Sequence, residues 1–304
     1  MLKHPLTVLI PTHGRPTLLK RTLESLESCT LPESYHELVV IENGSRDGAE
    51  ELVGSLPERL NARYMHRDRG NKSYALNEAL STIADGLVVF FDDDVRIDPN
   101  TLVAYAETAE LYEPGEAYFG GPVHVDREVE PPAWLEPTLP YSARGYDLTH
   151  ERNSPIYLGF NWAAFSTDIK RLGGFDPRFG PGSHVGATGQ ESEMQERLLG
   201  AGVEPVDVHN AIVTHHVPRE RCTLRWMLGR KYRFGISNYY RYDKQEHCIE
   251  VIAKGGLRSG WSIVKGVSSF NLQRVVSGSA RLFKMAGMVS GYLVESLILC
   301  RSRG

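Results

Sequence analysis

The sequence predicts an α/β fold: a mainly parallel sheet flanked by helices, with a helical C-terminal appendage. Three observations predict it. Short runs of β-branched, aliphatic and aromatic residues recur through the first half of the chain. Stretches with apolar residues at helical spacing separate them. Several runs end in polar or acidic residues. An apolar run without alternation is buried on both faces, as strands inside a parallel sheet are. A β-α-β-α order then lays the strands parallel, with helices over both faces.

Residues 6–10 are the first predicted strand. The loop Pro11-Thr12-His13-Gly14-Arg15-Pro16 follows, and Thr17 is placed as the cap of a helix on which Leu18, Leu19, Leu23 and Leu26 recur at helical spacing. A second strand over 37–41 ends in a turn-rich loop, 42–48. A helix over 49–56, a strand over 62–66 and a helix over 73–83 come next.

The most informative stretch follows. Asp85-Gly86 turns into Leu87-Val88-Val89-Phe90-Phe91, which runs into Asp92-Asp93-Asp94. Carboxylates at the C-terminal end of an interior strand sit where open α/β sheets place their ligands. Three adjacent acids repel one another unless water or a cation takes up the charge, and clustered hard oxygens suit Mg²⁺ or Mn²⁺ bridging to a phosphate. A solvated turn is the plainer alternative. An EF-hand loop counted from Asp92 needs Asp or Asn fifth and Gly sixth, where Arg96 and Ile97 stand. A haloacid-dehalogenase-type site needs Thr at the position of Arg96.

Beyond the acids, a helix is expected from Asp98-Pro99 to about Tyr112. Tyr118-Phe119 lead into Gly120-Gly121-Pro122. Residues 128–155 read as a long ordered loop or lid, because Trp134, Leu135 and Tyr141 suit a linker poorly. A helix over 191–199 is closed by Gly200 or Gly202. A late strand over 206–213 precedes His215-His216, and helix begins again at Thr223, through Tyr242. Residues 257–300 carry apolar residues at helical spacing interrupted by Lys284 and Glu295, which predicts amphipathic helices on a membrane surface or a partner rather than a span, with a helical cap on the catalytic domain as the plainer alternative.

Net charge is −4, but from Arg219 onward there are sixteen Lys and Arg against five Asp and Glu. That asymmetry points to an anionic partner, and no nucleic-acid-binding motif accompanies it, so nucleic acid is not expected. Cys29, Cys222, Cys248 and Cys300 form no CxxC pair and no zinc spacing, which fits a reducing compartment. The apolar run at 6–10 is too short for a signal peptide. The expectation is a cytoplasmic protein with a peripheral contact at the inner face of the membrane through its basic C-terminal region.

In a doubly wound sheet the strand ends lie side by side, so one site can be assembled from distant segments. Glu42 can accept from a base N–H; Arg15 and Lys72 can pair with phosphate oxygens. Asp94 can hold a metal against a diphosphate, with His215 or His216 completing the shell. Each has a blander reading: Glu42 as holder of its own loop, Lys72 as a surface lysine, one histidine as structural, Gly173-Gly174 as a tight turn. Trp162 is either core or a stacking surface for a sugar ring.

Seven motifs stand in order: Pro11-Thr12-His13-Gly14-Arg15; Glu42-Asn43-Gly44-Ser45-Arg46-Asp47-Gly48; Lys72-Ser73-Tyr74-Ala75-Leu76-Asn77; Asp92-Asp93-Asp94; Gly173-Gly174-Phe175-Asp176; residues 190–198; and residues 215–221. Together they resemble the inverting family 2 glycosyltransferases of the GT-A fold, over about residues 6–235. The resemblance implies a Rossmann-like catalytic domain over 1–218 and a basic, mainly helical region over 219–304. It implies a nucleotide-sugar donor (a UDP-sugar), Mn²⁺ or Mg²⁺, and inverting transfer to a glycan or lipid-linked acceptor in cell-surface polysaccharide or glycolipid synthesis. By position, Pro11, Thr12, Arg15 and Glu42 would line the nucleoside. Lys72, Asp92 and Asp93 would face the nucleotide and diphosphate, Asp94 and His215 would bind metal, and Asn161 and Trp162 would meet the acceptor. Glu191 would be the catalytic base, with Glu193 its rival about 200° around the helix. Three positions depart from the family: Gln190-Glu191 stands where Glu-Asp is usual, and Glu42 where Asp is usual. A sugar-phosphate nucleotidyltransferase is the alternative enzyme, but Pro11-Thr12-His13-Gly14 lacks its Gly-rich loop. A non-catalytic nucleotide- or glycan-binding module is disfavoured by the intact carboxylates of Asp92, Asp94 and Glu191.

Overall fold

A computed structural model of the chain describes residues 4–148, 156–241 and 245–302. The chain forms two compact units: Met1–Asp126, Gly145–Pro177 and Gln190–His216 make the first, and Arg127–Arg144, Arg178–Gly189 and Val217–Gly304 make the second.

The first unit opens with β1 (Leu6–Thr12), α1 (Pro16–Glu27), β2 (Tyr35–Asn43), α2 (Ala49–Gly54), β3 (Ala62–Arg67), α3 (Lys72–Leu80) and β4 (Leu87–Phe90). β1 pairs in parallel with both β2 and β4, and β2 with β3. Both faces of this sheet are buried, and successive residues divide between them. Val8, Ile10, Val40 and Val89 join one core cluster; Leu9, Val39, Ile41, Val88 and Phe90 join the other. Two-sided burial is why these runs carry no polar alternation.

The chain continues with β5 (Val95–Ile97), α4 (Thr101–Ala109), β6 (Ala117–Gly120), β7 (Val123–Arg127), α5 (Tyr141–Arg144), β8 (Trp162–Phe165), α6 (Ser166–Arg171), α7 (Gln190–Gly200), β9 (Glu204–Asp207) and β10 (Val213–Val217). The main sheet is seven-stranded, in the order β3-β2-β1-β4-β8-β6-β9. β8 runs antiparallel to both neighbours; the remaining pairs are parallel. A second, three-stranded sheet has the order β5-β10-β7.

Several local expectations are corrected. Thr17 does not cap α1: Arg15 occupies the N-cap without a side-chain bond, and Pro16, whose missing N–H costs nothing in the first turn, starts the helix. α4 begins at Thr101 and not at Asp98-Pro99. The strand expected over 206–213 is two strands, β9 and β10, so His215 and His216 lie within a strand instead of after one. Gly173 and Gly174, at φ 86° and 76°, close α6 as a tight turn, their N–H groups bonding to Lys170 and Ile169 carbonyls.

In the second unit, Leu135, Leu139 and Ala143 are buried, as an ordered segment requires; residues 149–155 and Tyr242 lie outside the described residues. Its helices are α8 (Leu224–Arg241), α9 (Gln245–Ser268) and α10 (Leu272–Ser302). Thr223 caps α8, its hydroxyl accepting from Trp226 N at 3.3 Å. Among the described residues no helix is long and apolar enough to cross a membrane.

Candidate active site

Strand register brings the first group of residues together. Thr12 pairs with Glu42 across β1 and β2, while Leu9 pairs with Phe90 across β1 and β4. The acids following β4 therefore come level with the end of β1. Thr12 Oγ1 donates to Asp93 Oδ2 at 2.8 Å, and Arg15 Nη1 reaches Asp93 Oδ1 at 3.4 Å and Asp94 Oδ2 at 3.1 Å. Asp93 and Asp94 are only 4% and 5% exposed. Burial, with the charge of Asp94 beside it, pushes the Asp93 carboxyl up to about 6 against the pull of Arg15.

His215 reaches this group through the smaller sheet. β10 runs antiparallel to β5 with His215 opposite Val95, and His216 N donates to Asp94 O at 2.9 Å. His215 Nε2 consequently lies 3.4 Å from Asp94 Oδ1, and Phe160 stacks on the imidazole at 4.4 Å. Among the described residues no three His, Cys, Asp or Glu side chains form a metal-holding group. A buried carboxylate beside an imidazole nevertheless suits a divalent ion that takes part of its shell from substrate phosphates. Mg²⁺ characteristically binds through one or two carboxylates plus phosphate and water.

A third group forms around the start of α3. Asn71 caps that helix, its Oδ1 accepting from Tyr74 N at 3.1 Å. Lys72, the next residue, is ion-paired with Asp92. Burial works against the Lys72 charge, but Asp92, with Glu191 and Asp93, outweighs it and holds the ammonium protonated. Lys72, Asp92, Trp162, Gln190 and Glu191 line one pocket of about 10 Å³, room for about one water. Gly159 presses on the same carboxylate: a Cβ there would lie 2.6 Å from Glu191 Cγ. Glu193 points to other work. Its two oxygens accept from Arg197 at 2.7 and 2.8 Å, and Arg197 also holds the carbonyls of Leu172 and Gly174.

Glu42 is 1% exposed, and its oxygens accept from Asp47 N at 2.6 Å and from Tyr64 OH. It holds its own loop. Asn161 is corrected outright: it is fully buried, accepting from Tyr105 OH at 2.8 Å and donating to the carbonyls of Pro122 and Ala211 at 2.9 and 2.8 Å. Both N–H groups of its amide are engaged and no surface of it is exposed to meet a sugar. Trp162 is core, stacked on Phe90 at 4.6 Å, with an edge on the pocket of Glu191. Asn161→Ala should thus destabilise the protein by about 3 kcal/mol, since three buried groups lose their partner. Urea unfolding would show it; unchanged stability with a raised acceptor KM would restore the acceptor role. Tyr64, Phe160 and Gly159 were not singled out from sequence, since each acts through a long-range contact that carries no local signal.

The family model for glycosyl transferase family 2 matches residues 7–170. The succinoglycan biosynthesis protein ExoM of Rhizobium meliloti is 28% identical over 301 residues, covering 93% of this chain and 91% of its own. Validoxylamine A glucosyltransferase of Streptomyces hygroscopicus subsp. limoneus is 28% identical over 71% of this chain and 52% of its own. Among solved structures, the mannosyltransferase PcManGT of Pyrobaculum calidifontis, in complex with GDP-Man and Mn²⁺, has a TM-score of 0.57 at 16% identity, covering 97% of this chain and 76% of its own. S. aureus TarS 1-349, in complex with UDP-GlcNAc, has a TM-score of 0.55 at 12% identity over 90% of both chains. The fold is that of GT-A glycosyltransferases. The chain belongs to glycosyl transferase family 2 and is a glycosyltransferase.

Proposed function

We propose that this family 2 glycosyltransferase moves a sugar from a nucleoside diphosphate donor, a UDP-sugar, to a hydroxyl of a glycan acceptor, with inversion, in polysaccharide synthesis. The observation that carries the reading is the meeting of Arg15, Lys72 and the Asp92–Asp94 acids with Glu191 at one edge of the sheet. The relation to a succinoglycan biosynthesis protein supports a polysaccharide product.

In this reading Pro11, Thr12, Arg15 and the loop held by Glu42 line the nucleoside, and Lys72, Asp92 and Asp93 face the diphosphate. Asp94 and His215 would hold Mn²⁺ or Mg²⁺, which when bound offsets the charge gathering on the leaving diphosphate. Glu191 takes the proton of the acceptor hydroxyl as its oxygen bonds to the anomeric carbon. The carbon–oxygen bond to the diphosphate breaks on the opposite face, and its electron pair leaves with the diphosphate. Lys72 stays protonated to receive that charge. The edge of Trp162 supplies an apolar floor.

Two solved relatives of the fold hold different nucleotides, GDP-Man and UDP-GlcNAc, so the test compares both bases. UDP should raise the melting temperature more than GDP, and more with Mn²⁺ than without, because a ligand at 100 times its Kd adds about 2.7 kcal/mol. With donor and acceptor present, the product should be free nucleoside diphosphate. Pyrophosphate release would mark a nucleotidyltransferase and overturn the reading.

A further inference from the structure

Helix α9 carries an apolar stripe that the second unit leaves uncovered. Its inner face is fixed by close packing on α10. A Cβ at Gly255 would lie 2.8 Å from Met285 Sδ, one at Gly266 2.7 Å from Val275, and one at Gly278 of α10 2.7 Å from Ile263. Ser259, on that same inner face, is fully buried. At about 100° per residue, Leu257, Trp261 and Val264 fall on the opposite face, and they are 79%, 63% and 60% exposed. Val267 near the end of α9, Phe270 in the turn and Leu272 at the start of α10 are exposed as well, Phe270 to 98%. A contiguous apolar surface of this kind marks an interaction site.

The charges beside it say what kind. Lys254, Arg258 and Lys265 are exposed and lie about 60–100° to one side of the stripe. Lys265 Nζ sits 5.0 Å above the Trp261 ring. Glu250, on the stripe's face, is ion-paired with Lys254. We propose that this stripe and the α9–α10 turn dock the protein on an anionic lipid bilayer. An indole and aliphatic side chains flanked by cations match the boundary between acyl chains and anionic headgroups. A second copy of the chain fits less well, since a two-fold contact would set these cations against themselves. The inference stands apart from the transfer chemistry, because binding is read without donor or acceptor.

The test is flotation of the full chain with vesicles of phosphatidylcholine alone and of phosphatidylcholine with phosphatidylglycerol. The protein should float with the anionic vesicles at low salt, be released at high salt, and stay behind with neutral ones. Trp261→Ser combined with Phe270→Ser should weaken binding by at least about tenfold, and Arg258→Gln and Lys265→Gln by about fivefold each. All four positions are exposed, so an unaltered melting temperature confirms the variants fold. No flotation with anionic vesicles, or flotation undiminished in the Trp261→Ser/Phe270→Ser protein, overturns the proposal. So does a concentration-dependent dimer in light scattering that the same double variant dissolves, which would assign the patch to a second copy.

Discussion

Glu191→Gln should leave donor affinity nearly unchanged and lower transfer by about 10²–10⁴-fold, the usual worth of general-base catalysis. The substitution keeps size and hydrogen bonding and removes only the carboxylate's capacity to take a proton. Glu191 lies in the first turn of α7, where the helix dipole favours an ionised carboxylate, and Lys72 adds its charge nearby. Its carboxylate lines the pocket that Lys72 and Asp92 share. Glu193 sits in the same turn with both oxygens engaged by Arg197. Glu193→Gln should consequently lower the melting temperature and leave the turnover of folded protein near the parent's. A second variant moves the base without deleting it. Gly159→Ala would drive a methyl to 2.6 Å from Glu191 Cγ, so kcat should fall while the donor Kd holds. Near-parental turnover of Glu191→Gln beside a dead Glu193→Gln would show that the base is two residues further on.

How much of this was legible in the sequence follows from what each element buries. β1, β2 and β4 announce themselves because interior parallel strands need unbroken apolar runs, whereas β3, at the sheet's edge and only half-buried, carries Arg63, His66 and Arg67 and is marked mainly by its place between two helices. β5, β6, β8 and β9 have only three or four residues, too few to show a period. β8 moreover runs antiparallel between β4 and β6, which the β-α-β-α order does not foretell. The acids at 92–94 were legible because sheet logic places strand ends together. The closeness of His215 to Asp94 was suggested by motif order, but the β5–β10 register that produces it was not visible. Asn161 was misread for a related reason. Motif position places it at the acceptor, while the partners that bury its amide, Tyr105, Pro122 and Ala211, are all distant in the chain. Glu42 is likewise buried, with one oxygen on Asp47 N and the other on Tyr64 OH.

Asp94→Ala should abolish Mn²⁺-dependent nucleotide binding, a loss of about 10²-fold or more in affinity measured with metal present. Asp94 stands between Arg15 and His215, with Arg15 Nη1 at 3.1 Å from one oxygen and His215 Nε2 at 3.4 Å from the other. Removing the carboxylate takes away the hard oxygen a divalent ion requires and leaves an imidazole, which alone holds Mg²⁺ or Mn²⁺ poorly. It also leaves the diphosphate charge to Arg15 and Lys72 in a partly dry site, where uncompensated charge is costly. Binding without metal should persist at the parent's metal-free level, since Thr12, Lys72 and Asp92 are untouched. Because Asp94 is 5% exposed, the alanine protein risks a loosened loop. Asp94→Asn keeps the volume and an acceptor for Arg15, so it separates the charge from the packing. Both variants should bind UDP equally with and without Mn²⁺, while the parent binds it far more tightly with the metal. Retention of the Mn²⁺ effect in Asp94→Asn would move the ion away from Asp94 and His215, leaving Asp92 and Asp93 as the acids on which a metal could rest.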